Sequence, residues 1–262
     1  MSKEVKVFLQ YPWRFPDSPH YKYLIENPPK GIHYINVEKQ KGAITNKNLF
    51  RFSNLLKKII RKSFDASHLS FPNMHLTKTE EFYDVIHCAH CLSKNEDKPW
   101  IADFEGVWQM FIGKKNKDSI EKVRKILLKD NCKKIIAWTD KAKEEIVSEF
   151  PDLANKIQVI YPAVPMQKIK KSNKRNIQLL FVGRYFYAKG GHESLEVIDR
   201  LTKKYRNVEG IIISEVPKEI LKKYSENKKI KFYGLISQEK LFKEVYPNSD
   251  IFIYPGYSDT FG

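Results

Sequence analysis

The chain has 262 residues, 42% apolar and 13% aromatic, which is enough to build cores and excludes global disorder. Forty-seven basic against 31 acidic residues leave a formal charge of +16, which points to an anionic partner. The lysines run along most of the sequence with no Arg-rich arm, so a membrane surface or phosphate ligands fit better than nucleic acid, and no specific nucleic-acid partner is expected.

Three cysteines, Cys88, Cys91 and Cys132, make no disulfide framework and suggest a reducing cytosol. Met1–Lys6 is polar and the apolar run behind it is too short for a signal core, so no signal peptide is expected. No apolar run approaches the ~20 residues that span a bilayer; any membrane contact is expected to be peripheral.

Residues 5–9 (VKVFL) read as a first parallel strand. Residues 10–20 (QYPWRFPDSPH) carry three prolines and read as a loop at that strand's C-terminal end, making Trp13, Arg14 and His20 binding candidates or plain loop decoration. A helix is expected to begin at Tyr21, and residues 32–37 read as strand. From residue 49 to 63 apolar residues recur at 49, 52, 55, 56, 59 and 60 opposite a basic face. Such a helix either lies on anionic lipid or packs into a core with its cations solvated.

Residues 82–88 and 99–104 read as further strands. The sequence HCAHC (87–91) resembles a metal-ligand set, but strand alternation sends His87 and Cys91 to one face and Cys88 and His90 to the other. A structural zinc needs four convergent ligands, so no metal site is expected. Residues 118–131 are helical by period. A strand at 134–138 is followed by Thr139 or Asp140 as the cap of a helix at 141–150, and a strand at 157–161 ends at Pro162.

Residues 166–176 (MQKIKKSNKRN) form a polar, cationic linker, after which strands and helices alternate: strands at 178–182, 209–213, 230–233 and 251–254, helices at 191–204, 217–224 and 238–246. Alternation of this kind demands right-handed crossovers and a parallel sheet. The expected organisation is an α/β domain over 1–164, a linker over 165–176 and a second α/β domain over 177–262. The segment LLFVGRYFYAKGG (179–191) organises the second domain. A buried strand, a turn at Gly183, the cations Arg184 and Lys189, then Gly190, Gly191 and a helix N-terminus together make an anion site suited to a diphosphate. An ordinary turn with two solvated cations is the alternative.

Three ordered segments, FVGRYFYAKGG (181–191), IKFYGLISQEKLFKEVYPNSDIFIYPGYSDTFG (230–262) and IIAWTDKAKEEIVSEFPDLANKIQVIYPAVP (135–165), resemble the family-four retaining glycosyltransferases. The resemblance covers about half the chain. It implies the GT-B fold: two Rossmann-like domains with parallel sheets facing a cleft, the first on the acceptor side, the second holding the nucleotide-sugar. No cofactor is implied beyond that donor substrate, a UDP- or GDP-sugar, and no metal. Arg184 and Lys189 would contact the donor diphosphate, Gly183 and Gly190 would let the backbone approach it, and backbone near Leu235 and Ile236 would read the base. Asp259 stands where the family has a Glu, within SDTFG, beside Phe261 and Gly262. The family's second Glu would fall past Gly262, so the resemblance implies that the second domain is incomplete. In the first domain PWIADFEGVW places Asp103 and Glu105 where the family often has a His. Either carboxylate would orient an acceptor hydroxyl or the donor sugar, or is a solvated turn residue before Gly106. The implied partners are the donor and a carbohydrate or lipid-linked acceptor; the basic charge adds peripheral contact with an anionic membrane, at its inner face, as a further expectation. A non-catalytic nucleotide- or glycan-binding relative and a basic nucleic-acid-binding protein are the competing readings.

Overall fold

The computed structural model describes residues 4–11, 19–37, 52, 55–56, 59–60, 62–63, 69–163, 166, 171 and 175–257. The chain divides into two compact units, Met1–Pro165 and Met166–Asp259.

Unit 1 is built on a six-stranded parallel sheet. Its strands are β1 (Val5–Gln10), β2 (Ile32–Ile35), β5 (Val85–Ala89), β7 (Trp100–Phe104), β9 (Cys132–Ala137) and β10 (Ile157–Val159), in the order β10-β9-β7-β5-β1-β2. The central strands are apolar on both faces because helices and loops cover both; Leu9, Ile86, Ala102, Phe104 and Ile135 are fully buried. Four two-residue strands, β3 (Phe71–Pro72), β4 (Met74–His75), β6 (Leu92–Ser93) and β8 (Phe111–Ile112), form two small ribbons that the apolar pattern does not announce.

Local chemistry sets the helix starts. Pro19 opens the helix Pro19–Glu26, so the proline-rich loop ends two residues earlier than the composition suggests; proline's fixed φ suits a first helical position. Asn116 and Ser119 cap the helix Lys117–Leu128 reciprocally at 2.9 Å. Of the two capping candidates, Thr139 accepts the Ala142 N–H at 3.1 Å and Asp140 begins the helix Asp140–Glu149.

Unit 2 is a four-stranded parallel sheet of β11 (Ile177–Val182), β12 (Val208–Ile213), β13 (Ile230–Tyr233) and β14 (Ile251–Phe252), in the order β13-β12-β11-β14. The helix Gly191–Lys204 buries Leu195 and Ile198 against Phe181 and Ile212. The expected helix at 238–246 is shorter and irregular. It runs as Gln238–Lys240, one wide turn over Leu241–Val245 and one tight turn over Tyr246–Asn248, where Pro247 removes a donor N–H.

The amphipathic stretch departs from the core-packed alternative. Phe52, Leu55, Leu56, Ile59, Ile60, Lys62 and Ser63 are helical. Phe52, Leu55, Leu56 and Ile59 stand 49–65% exposed.

Candidate functional site

In an open α/β sheet, ligands bind beyond the C-terminal strand ends where the strand order reverses. In unit 2 that point lies between β11 and β14, because the chain runs from β11 outward to β12 and β13 and returns to β14 on the other side. The loop leaving β11 there carries Gly183, Arg184, Lys189 and Gly190. Gly183 is buried, its N–H donating to Ile213 O at 3.0 Å and its carbonyl accepting the Ser214 hydroxyl at 2.5 Å. A Cβ on it would meet the Phe181 ring at 2.8 Å and Lys189 Cβ at 3.0 Å, so the missing side chain draws the two ends of the loop together.

The rest of the loop is a compact turn. Lys189 N–H donates to Tyr185 O at 2.9 Å, Gly190 N–H to Tyr187 O at 3.0 Å and Gly191 N–H to Phe186 O at 2.7 Å. These backbone donors are therefore spent inside the turn and do not face a ligand. What remains for an anion is the N-terminal dipole of Gly191–Lys204 and the two cationic side chains, Arg184 and Lys189, both half-buried. Glu193 shares that helix end. It accepts the Tyr257 hydroxyl at 2.7 Å, and this bond, with one from its own backbone N–H, holds its carboxyl below the usual range and raises the Tyr257 phenol.

Leu235 and Ile236 follow β13 and are half-buried, and Ile236 packs against a cluster of Leu180, Ile213 and Val245. Trp13, Arg14, Asp259, Phe261 and Gly262 lie outside the described residues.

In unit 1 the order reverses between β1 and β5. At the C-terminal ends of β5 and β7 sits a cluster centred on Asp103, which is 2% exposed. It is no solvated turn carboxylate: it lies inside β7 and is fully engaged. Tyr21 donates its hydroxyl to Oδ1 at 2.6 Å, His90 its backbone N–H to Oδ1 at 3.2 Å, and His87 Nε2 meets Oδ2 at 3.2 Å. Burial alone would raise this carboxyl. The charge and hydrogen bond of His87, the charge of His90 and the Tyr21 bond outweigh burial and hold it well below the usual carboxylate range. An ionised carboxylate only accepts, so His87 Nε2 carries the proton. Burial, then the Asp103 charge, push Tyr34 up to about 12, and burial lowers His20, whose ring lies 4.9 Å from Trp138.

The alternation expected across HCAHC fails where the strand stops. β5 ends at Ala89, and His90 takes a left-handed backbone at φ 57°, which turns the chain and brings His90 back beside Asp103 with His87. The His90 ring packs 4.7 Å from Trp138 and 5.4 Å from Tyr21. Its Nε2 lies 3.7 Å from Glu105, which is 27% exposed at the end of β7. Sequence reasoning placed Asp103 and Glu105 here but missed Tyr21, His87, His90 and Trp138. Among the described residues no three of His, Cys, Asp and Glu are grouped to hold a metal.

Residues 165–262 match the family model described as Glycosyl transferases group 1. Over 145 residues the chain is 23% identical to the phosphatidylinositol N-acetylglucosaminyltransferase GPI3 subunit of Saccharomyces cerevisiae (strain YJM789), covering 53% of this chain and 32% of that protein. The matched stretch thus spans about a third of the curated relative's length. Among solved structures, the lipopolysaccharide outer core galactosyltransferase WaaB in its apo form superposes with a TM-score of 0.51 at 14% identity, covering 98% of this chain and 76% of WaaB. A glycosyltransferase from Rickettsia africae ESF-5 gives 0.51 at 13%, covering 98% and 74%. These likenesses show the fold: the α/β architecture is of the GT-B type.

Proposed function

We propose that this chain, whose residues 165–262 are a group 1 glycosyl transferase domain on a GT-B-type fold, transfers a sugar from a UDP- or GDP-sugar to a carbohydrate or lipid-linked acceptor with retention of anomeric configuration. The observation that carries the reading is the loop at the unit 2 switch point, where a short turn holds Arg184 and Lys189 beside a helix N-terminus. When the bond between sugar and diphosphate breaks, negative charge grows on the phosphate oxygens. Two preplaced cations stabilise that charge more than they stabilise the bound donor, an effect worth roughly 3–4 kcal/mol for one strong group. In this reading side chains supply the positive charge that a divalent metal supplies elsewhere.

The name of the GPI3 relative favours a lipid-linked acceptor. The exposed apolar residues Phe52, Leu55, Leu56 and Ile59, in a stretch rich in Lys and Arg, favour contact with an anionic membrane surface. No helix among the described residues is long and apolar enough to cross a membrane. Three buried free thiols favour the reducing, cytoplasmic side.

The test is incubation with UDP- and GDP-sugars, with nucleoside diphosphate release followed and the product anomer read by proton NMR. Release with the donor's configuration kept supports the reading. An inverted product contradicts retention, and no release from any donor contradicts activity in this chain.

A further inference from the structure

Unit 1 holds a cavity of about 680 Å³ whose lining contains none of the residues assigned to sugar transfer. The lining comes from the tight turn Val107–Met110 after β7, the segment that follows β8, and the helix Asp140–Glu149. Val107 and Phe111 are its buried apolar residues, and Trp108 beside them is 55% exposed. Glu144, Glu145 and Ser148 lie on one face of the helix and complete that side. Gly106 lets the two sides meet. A Cβ there would stand 3.0 Å from Glu145 Oε2, 3.1 Å from Trp108 Cδ1 and 3.2 Å from Trp108 Nε1, so its absence brings a carboxylate to the edge of the indole ring. The turn itself is pinned: Gln109 N–H donates to Gly106 O at 3.2 Å, Gln109 Oε1 accepts the Glu105 N–H at 2.7 Å, and Asn73 Nδ2 donates to Gln109 O at 2.8 Å. Lys115 pairs with Glu149 and ties the segment after β8 to the helix. Among the described residues no hydrogen bond or ion pair engages the side chains of Trp108, Glu144, Glu145 or Ser148.

We propose that this cavity is a second carbohydrate site, which takes a neutral sugar on the Trp108 ring with its hydroxyls donating to Glu145 and Glu144. The lining chemistry names the ligand, so the proposal does not rest on the glycosyl-transfer reading. A volume of about 680 Å³ falls within the ~300–1,000 Å³ usual for small-molecule sites. The charges select among small molecules. Glu144, Glu145 and Glu149 repel an anion, while Lys114 and Lys115 oppose a cation, and the Lys115–Glu149 pair cancels within itself. What remains suits an uncharged molecule rich in hydroxyls. A sugar ring offers a flat patch of C–H groups with hydroxyls around its rim. An exposed indole covers the patch, and carboxylates at the indole's edge accept from the rim. The Ser148 hydroxyl, able to donate as well as accept, serves the oxygens that a carboxylate cannot.

Calorimetric titration and saturation-transfer NMR of the full chain test this. The probes are the methyl glycosides of glucose, mannose, galactose and N-acetylglucosamine, with maltose and cellobiose; choline and inorganic phosphate stand for a cation and an anion. Saturable binding of at least one sugar is expected, weakened about tenfold or more in Trp108→Ala and in Glu145→Gln. Binding of UDP and GDP by both variants is expected to match the wild type. Glu145→Gln keeps the shape of an exposed side chain, so it carries the test should the Trp108→Ala variant fold poorly. Wild-type protein that binds none of the six sugars, folded variants that bind them as the wild type does, or choline or phosphate binding that is lost in these variants would overturn the proposal. Failure of UDP and GDP to bind the wild type would count against the glycosyl-transfer reading and not against this site.

Discussion

Gly190 and Pro255 meet backbone to backbone: a Cβ built on Gly190 would lie 2.2 Å from the Pro255 carbonyl oxygen. Gly190 also sits at φ 70°, so glycine is required both for the backbone it adopts and for the space it leaves. The contact joins the loop after β14 to the loop after β11, and Tyr257 N–H donates to Ala188 O at 3.2 Å beside it. Gly190→Ala is expected to cost roughly 1–3 kcal/mol from the left-handed backbone alone, before the clash is relieved. Melting several degrees lower, with nucleotide binding weakened, is the expected outcome in calorimetry; an unchanged melting temperature would contradict the packing described.

Tyr21 reaches Asp103 from the helix Pro19–Glu26, so one hydroxyl ties that helix to the sheet. Tyr21→Phe removes a charge-assisted bond and leaves a buried carboxylate short of a donor, for an expected loss of about 1.5–3 kcal/mol. Urea unfolding measures it. Binding of nucleoside diphosphate is expected to stay as in the wild type, since no residue of the unit 2 loop is altered.

Acid stability follows from the same cluster. Asp103 has its folded pKa depressed, so its contribution is complete above the unfolded value of about 3.9 and is lost as pH falls through the folded value. His20 and His75 are lowered by burial, so the unfolded chain binds their protons more readily. Stability is expected to decline first as pH falls below about 6.5, the unfolded value of His, and again below about 3.9. Melting temperatures across this range check the two steps; Asp103→Asn is expected to flatten the lower step and, by removing the charge that opposes the lowering of His20, to deepen the upper one.

The exposed row Phe52, Leu55, Leu56 and Ile59 carries a prediction for lipid. Burying each such side chain in a bilayer interface is worth about 1–2 kcal/mol. Leu55→Glu with Ile59→Glu is therefore expected to lower co-sedimentation with phosphatidylserine-containing vesicles by tenfold or more. Equal sedimentation of variant and wild type would contradict a lipid role for these residues.

Unit 2 was legible because its signals are local. Short apolar runs alternate with amphipathic ones, and the Gly-Arg…Lys-Gly loop falls where β11 ends. The unit 1 cluster was not, because two of its determinants leave no trace in periodicity. The left-handed turn at His90 ends the strand inside 87–91, so alternation does not carry across it, and the burial of Asp103 depends on Tyr21, 82 positions away. The stripe at 49–60 shows a third limit. Apolar spacing reports which residues share a face and not what covers that face, so core and lipid read alike until the exposure of Phe52 and Leu55 is known.

The central claim is that the Gly183–Gly190 loop receives a diphosphate, and calorimetric titration of the chain with UDP, GDP and ADP tests it most directly. Saturable binding of one nucleotide, weakened in Arg184→Ala by roughly 1.5–3 kcal/mol, is the predicted result. No binding of any of the three, or equal affinity in the Arg184→Ala variant, would contradict it.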